Sequence, residues 1–289
     1  MADLTATTME TYLPEHTSVL ATITYRSNVV LPDLFDRRWE PELGVGRGDT
    51  VNIPAFTQNA AASKRSTFGT GASLTYSALT DVEILLIVDQ MAYKAYRMPI
   101  EMTIQRMAIY EPLLTDGIGL AVALQIDSDL ASDNTNGIDG WSTVVGTDNV
   151  DITDDNIITC ETNLNNANAP LENRFLVVSP ATRGSMLKID VLRNQLYQKT
   201  NDIKMDMGPG YFGDVYTFHT YMSNNLEAGS AGKKNGAWQQ EATAFVMQSD
   251  IKIVEQIDID AGFFKIVAGY AVYGQKEVKD SFGNELDGK

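Results

Sequence analysis

Apolar and polar positions change their period along this chain, and each change marks an element. The first 28 residues are polar and Thr-rich without a clear period, which reads as an extended arm with little core of its own. In Val29–Trp39, Asp33, Asp36 and Arg37 sit among Leu34, Phe35, Arg38 and Trp39. This predicts a short helix entered at Pro32, where a missing N–H costs nothing. Gly44, Gly46 and Gly48 make a turn, and Val51 and Ile53 then alternate with polar neighbours as a strand does. Residues 57–77 are small and polar, and Val82–Met98 is rich in Ile, Leu, Val and Tyr. Strand, polar tip and strand predict one long hairpin. Arms of fifteen to twenty residues would reach on the order of 50–60 Å. A ribbon that long is marginal alone and is expected to lie on a neighbour.

The main helix is predicted over 100–133, broken at Pro112, with Leu113, Leu114, Gly117, Leu120, Ala121, Leu124 and Ala131 on its apolar face. Gly117 and Gly119 weaken it, so close packing on another backbone is the expected compensation. Thr153 is placed to cap a helix from Asp154 to about Asn168, before Pro170. Phe175–Val178 reads as a buried strand, and Ser179-Pro180 opens a helix to about Ile189. Gly213–Met222 reads as one alternating strand, and 228–240 as a Gly/Ala/Lys loop. Thr243–Gln256 and Phe263–Tyr273 read as strands, and the polar tail from Val278 as frayed. Helix and strand alternate in the middle of the chain, which points to an α/β or α+β layer.

Composition adds less than charge does. A 289-residue chain with 44% hydrophobic and 21% charged residues can bury a core and is too apolar for disorder. The net charge of −16 argues against binding nucleic acid by phosphate neutralisation, and against anionic membranes. No stretch is apolar enough to span a bilayer, and no basic-then-apolar leader opens the chain. The single cysteine, Cys160, excludes an internal disulfide framework and suits a cytosolic product; it reads as a small buried hydrophobe.

The charge is uneven. Of the 38 acids, twelve lie between Arg106 and Arg174, where no Lys or Arg occurs, leaving 26 acids against 22 bases elsewhere. Asp127, Asp129, Asp133, Asp154 and Asp155 are read as part of a solvated acidic face. Asp127, Asp129 and Asp133 fail the EF-hand pattern, because Ala131 and Ser132 stand where ligands and a glycine are wanted. By contrast, 44–76 holds Arg47, Lys64 and Arg65 against Asp49 alone. A basic hairpin on an acidic body suits head-to-tail contact between copies. The Gly44–Gly48 run lacks dinucleotide-loop spacing and is a turn. There is no nucleophile elbow, paired-Cys zinc site or P-loop, and His219 reads as a core or interface residue. No catalytic constellation, cofactor site or metal site can be assembled.

Four strings in order carry a resemblance. They are Gly48-Asp49-Thr50-Val51-Asn52-Ile53-Pro54, Ala123-Leu124-Gln125-Ile126-Asp127-Ser128-Asp129-Leu130, Asn173-Arg174-Phe175-Leu176-Val177-Val178-Ser179-Pro180, and Phe218 through Met222-Ser223-Asn224-Asn225-Leu226. With the element order they resemble the major capsid protein family of tailed bacteriophages, the Johnson or Hong Kong 97-like fold, over nearly the whole chain.

The resemblance implies an α+β chain in six parts. They are an N-terminal arm and short helix (1–43), an extended β-hairpin loop (44–98), a spine helix (99–133), an axial domain (134–240), peripheral-domain strands (241–277) and a C-terminal tail (278–289). It implies a structural protein without enzymatic activity that forms hexamers and pentamers of an icosahedral shell around double-stranded DNA, without sequence-specific DNA binding. Its partners would be itself, a portal protein, a decoration protein in some relatives, and a separate scaffolding protein, since about thirty residues leave no room for an internal one. It would reside in the virion, and in the host cytoplasm during assembly. Arg37, Arg38, Arg47, Lys64, Arg65 and Phe68 are the expected assembly contacts. The acidic span is expected to line the interior and repel packaged DNA across a Debye length of roughly 8 Å. A tail or decoration protein, or an α/β enzyme, are the alternatives.

Overall fold

The computed structural model describes residues 29–43, 48–56, 81–101, 110–133, 135–189, 192, 210–259 and 262–289. The arm to residue 28, the turn at 44–47 and the hairpin tip at 57–80 lie outside the described residues, as does most of the helix expected before Tyr110. The architecture is α+β. Strands β1 (Thr50–Phe56) and β2 (Asp81–Ile87) pair alone. A three-stranded sheet has the order β3-β10-β9, from β3 (Gln90–Pro99), β9 (Thr243–Asp258) and β10 (Phe264–Glu277). A six-stranded sheet has the order β4-β11-β8-β5-β7-β6. Its strands are β4 (Val144–Gly146), β5 (Arg174–Val178), β6 (Tyr211–Val215), β7 (Phe218–Met222), β8 (Lys233–Gln239) and β11 (Gly283–Gly288).

The long helix α1 runs Tyr110–Ser132. Pro112 falls in its first turn, where it is tolerated. The buried stripe is Ile118, Val122, Ile126 and Leu130, with Asp127 and Ala131 beside it. Four-residue spacing puts these on one face, and burying four such side chains is worth on the order of 6–12 kcal/mol as an upper estimate. The face expected from Leu120, Ala121 and Leu124 is therefore displaced, and those residues are only half-buried. The cause is in the sheet. A Cβ on Gly269 of β10 would overlap Ile118, so the glycine admits the helix at that point. Gly117 and Gly119 have open space around them, and the backbone contact expected for them is not made among the described residues.

Other expectations also change. Pro32 does start a helical turn, but it is a three-residue 3₁₀ turn, Leu31–Asp33. The chain then leaves the helix because Asp36 bridges Ala244, with Phe245 N–H donating to the Asp36 carbonyl at 2.9 Å. The run 82–98 is two strands in two sheets. Ile87 ends the ladder with β1, and Gln90 begins the ladder with β10. Gly274 permits this crossing, since a Cβ there would overlap the Ile87 carbonyl. Helix α2 is Asp154–Asn166, and Thr153 occupies its N-cap position without a side-chain cap bond. Helix α3 is Pro180–Met186, where Ser179 Oγ does accept from the Thr182 N–H at 3.0 Å.

Gly213–Met222 is a hairpin, not one strand. Tyr216 takes φ 52° at its turn, so Val215 and His219 do not share a face by simple alternation. The loop expected at 228–240 holds β8, inside the six-stranded sheet between β11 and β5. The tail expected to fray is β11, paired with β4 on one side and β8 on the other. Gly283 is what admits it, because a Cβ there would enter the buried Trp141 indole.

Candidate assembly surface

Within the acidic stretch the carboxylates divide by what they touch. Asp127 is wholly buried. Its Oδ1 accepts from the backbone N–H of Val30 at 3.0 Å and of Leu31 at 2.7 Å, and its Oδ2 from Asn225 Nδ2 at 2.6 Å. Burial pushes its pKa above the ordinary carboxylate value, while donors from Asn225, Leu31, Val30 and Ser223 pull the other way. Asp127 thus ties α1 to the entering chain and to the loop after β7. It is not a solvated acid, and the sequence reading is corrected here. Its position beside the apolar stripe is what conceals it, since a charged residue at that helical position reads as outward-facing.

Asp129 accepts from Tyr273 Oη and from Gln125 Nε2, the latter at 2.7 Å. Asp133 receives Gln275 Nε2 at 2.8 Å and the Thr135 N–H at 2.9 Å. Burial raises its pKa, but Gln275, Thr135 and Asn136 outweigh that and hold it below the ordinary value. Asp154 accepts from Tyr216 Oη, and Asp155 is exposed. Elsewhere in the stretch, Asp139 pairs with Lys234, and Asp148 accepts from the N–H of Ala231 and Gly232 at 2.8 Å each. Asp151 faces Lys188 and Lys289. Much of the acidity therefore fastens loops and strands, and the single solvated face expected of these acids breaks up.

Among the expected contact residues, Arg47, Lys64, Arg65 and Phe68 lie outside the described residues. Arg37 pairs with Glu40 at 2.7 Å and with Asp33 at 3.5 Å. Arg38 pairs with Asp36 at 2.6 Å and with Glu241 at 3.4 Å. Both are engaged within the chain. The structure does not bring Arg37 and Arg38 together with the acids of α1.

The exposed apolar surface lies partly on the 82–98 run, which the sequence places in a ribbon expected to lie on a neighbour, and partly near the β9–β10 turn. On β3, Met91 is 56% and Tyr93 73% exposed. Register pairs them with Val272 and Tyr270, on the sheet face opposite Gly269 and hence opposite α1. Farther along, Arg97 stacks over Phe264 at 4.0 Å and pairs with Asp258 at 3.1 Å. Ile257, Ile259 and Phe263 are exposed near the β9–β10 turn. Leu85 and Ile87 are exposed on β2, whose other face packs Leu86 with Ile53, Leu43, Val88, Ala244 and Val246. Strand alternation predicts such two-sided apolar runs, but it cannot say which side lacks a cover.

An open cleft with about 600 Å³ of space at the start of β3 is lined by Gln90, Met91, Ala92, Tyr93, Gln125, Asp129 and Tyr273. Among the described residues no group of three His, Cys, Asp or Glu side chains could hold a metal ion. Cys160 is buried in α2, and burial pushes its thiol up to about 12, which leaves it unreactive. His219 Nδ1 lies 2.7 Å from Asp214 Oδ1, half-exposed, and Tyr211 Oη donates to the same oxygen at 2.7 Å. No helix among the described residues is long and apolar enough to cross a membrane.

No family model and no curated protein matches the chain. Solved structures do. A chain of Mycobacterium phage Che8 superposes with TM-score 0.72 at 20% identity, covering 96% of this chain and 98% of its own. A chain from the capsid of a native GTA particle gives 0.71 at 12% identity, covering 99% of each. One from the capsid of Cyanophage P-SCSP1u gives 0.66 at 14%, covering 98% and 94%. The fold is that of chains from phage and GTA capsids. Within that class the chain is similar to the Che8 chain in backbone over nearly its full length, with one residue in five shared.

Proposed function

We propose that this chain is a major capsid protein of a tailed bacteriophage, assembling into hexamers and pentamers of an icosahedral shell around double-stranded DNA. The observation that carries the reading is the nearly end-to-end likeness to phage capsid chains, in both directions of coverage. The three-stranded sheet with α1 serves as the peripheral domain, and the six-stranded sheet as the axial domain. The β1–β2 ribbon is the root of the extended loop. Uncovered apolar strands beside a well-packed core suit a subunit that completes itself by contact with copies. The DNA is held without sequence-specific contacts, in keeping with a net charge of −16. Portal, scaffolding and decoration proteins are the expected partners. The protein resides in the virion, and its role is structural rather than catalytic.

A tail or decoration protein would self-associate by the same logic, and the likeness to capsid chains favours the first reading. Sedimentation velocity of the expressed chain, alone and with its neighbouring gene products, tests it. The expected result is a fast boundary of uniform large particles. A single species near the 31.7 kDa chain mass under every condition would overturn it.

A further inference from the structure

We propose that Lys234 and Asp139 condense into an amide within the subunit, with Glu285 moving the protons. The three side chains come from three segments. Lys234 lies on β8, Glu285 on β11, and Asp139 on a 3₁₀ turn, Ile138–Gly140. Register sets Lys234 opposite Asp287 and Gly236 opposite Glu285, so Lys234, Glu285 and Asp287 share one face of the sheet. Glycines bring the turn down onto that face. A Cβ on Gly236 would crowd Ile138, and one on Gly283 would enter the Trp141 ring. Asp139 lies between those two anchors, and its carboxylate meets Lys234 Nζ. Glu285 Oε1 lies 2.9 Å from the same nitrogen.

The cluster is poorly balanced as a set of ions. One cation is surrounded by Asp139, Glu285 and Asp287, and Asp287 Oδ1 is buried without a hydrogen-bond partner. The Glu285 side chain is 4% exposed, that of Asp139 18% and that of Lys234 25%, so water is largely kept out. Burial raises the Glu285 pKa to about 7 against the pull of Lys234, helped by the charges of Asp287 and Asp139. A group with that pKa both takes and gives protons near neutrality. Burial lowers the Lys234 pKa, but hydrogen bonds to Asp139 and Glu285 outweigh it and hold the ammonium. Removing that proton is the step that needs help, and Glu285 is in contact to accept it.

In the reaction, Glu285 takes one proton from the Lys234 ammonium, and the freed Nζ lone pair attacks Asp139 Cγ. A C–N bond forms. One Asp139 oxygen leaves as water, carrying the proton held by Glu285 and a second from Nζ, and Glu285 returns to its starting state. Ammonium and carboxylate become a neutral amide and one water, with no oxidant or reductant. Fixed adjacency supplies the effective concentration that free ions in water lack. Condensation also removes the cost of keeping two charges out of solvent. The link joins residues 95 apart in sequence. It ties β8 to the turn that leads into β4, and β11 lies between those two strands. A tie of this kind restricts the unfolded chain as a disulfide does, in a protein whose single cysteine can form none internally.

Intact mass spectrometry of the full-length chain, purified folded, held at neutral pH and then denatured, tests the proposal. The expected result is a mass one water below that of the sequence, with a branched tryptic peptide joining the segments around Asp139 and Lys234. Folded protein with the full sequence mass overturns it. Asp139 precedes Gly140, and a succinimide there also loses one water, so the branched peptide and Lys234→Arg separate the two. Lys234→Arg keeps the cation without the amine and should restore the full mass; a deficit that persists in this variant overturns the link. Glu285→Gln keeps the shape but cannot accept the proton, and should slow the appearance of the deficit by about a hundredfold or more. An unchanged rate in a variant with the wild-type circular dichroism overturns the role given to Glu285. If either variant fails to fold, the wild-type mass and peptide map decide alone. These readouts do not depend on whether the chain builds shells.

Discussion

Replacing Asp127 with alanine probes the joint on which three segments meet. The substitution removes the acceptor for two buried backbone donors, Val30 and Leu31, and for Asn225 Nδ2. A buried donor left without a partner costs about 1–3 kcal/mol. Two such amides give a loss of about 2–6 kcal/mol, from which relaxation recovers a part. Set against a typical total of about 5–15 kcal/mol, that is a large fraction. The released segment carries Phe35, whose ring stacks on Trp238 at 5.1 Å, so its departure exposes an indole. Urea unfolding of the unassembled subunit, followed by tryptophan emission, reads both effects. The expected outcome is an earlier midpoint and a native-state emission shifted to the red. Asp127→Asn keeps one acceptor oxygen but sets an amide donor against Asn225, so it should fall between wild type and alanine. A loss below about 1 kcal/mol for Asp127→Ala, with the Val30 and Leu31 amides still protected from exchange, would refute the reasoning.

Two further substitutions test separate joints. Gly283→Ala drives a methyl into the buried Trp141 ring, so it should destabilise by about 1–3 kcal/mol and release β11; unchanged melting would contradict the packing. Burial raises the Glu285 pKa to about 7 despite Lys234 beside it. The folded protein therefore binds that proton more tightly than the unfolded chain, and this contribution to stability is present below about pH 4.5 and lost as pH rises to about 7. Glu285→Gln should flatten the stability-pH curve across that window, and an unaltered slope would show that Glu285 does not set it.

The legible parts of the fold were those where local pattern and tertiary context agree. Phe175–Val178 is apolar throughout because both faces of β5 are covered, and it reads as a buried strand. The Ser179-Pro180 pair writes its own helix start, and the strand at 264 alternates through its middle, whereas β9 is buried over its first four residues and mostly exposed beyond them. The illegible parts are those where a distant partner overrides the local pattern. Gly283–Gly288 is polar and glycine-bearing, and is a strand only because β4 and β8 pair with it. Lys233–Gln239 likewise becomes a strand through β5 and β11. The turn at Tyr216 gives no sign, since a tyrosine with φ 52° breaks the usual preference for glycine or asparagine there.

The candidate surface was partly legible. Charge asymmetry could be read directly, and it pointed to contact between copies. What could not be read was which acids are spent inside the subunit. Asp127 and Asp129 are two positions apart, yet one is sealed against Val30 and Leu31 and the other lines an open cleft. Helical spacing alone cannot separate them, because the difference comes from the entering chain and from Tyr273.

Electron microscopy of the purified, assembled product tests the central claim most directly. The account predicts closed shells of uniform diameter, built from rings of six and five copies. Tubes, isolated rings or a dispersed monomer from the intact chain and its natural partners would contradict it.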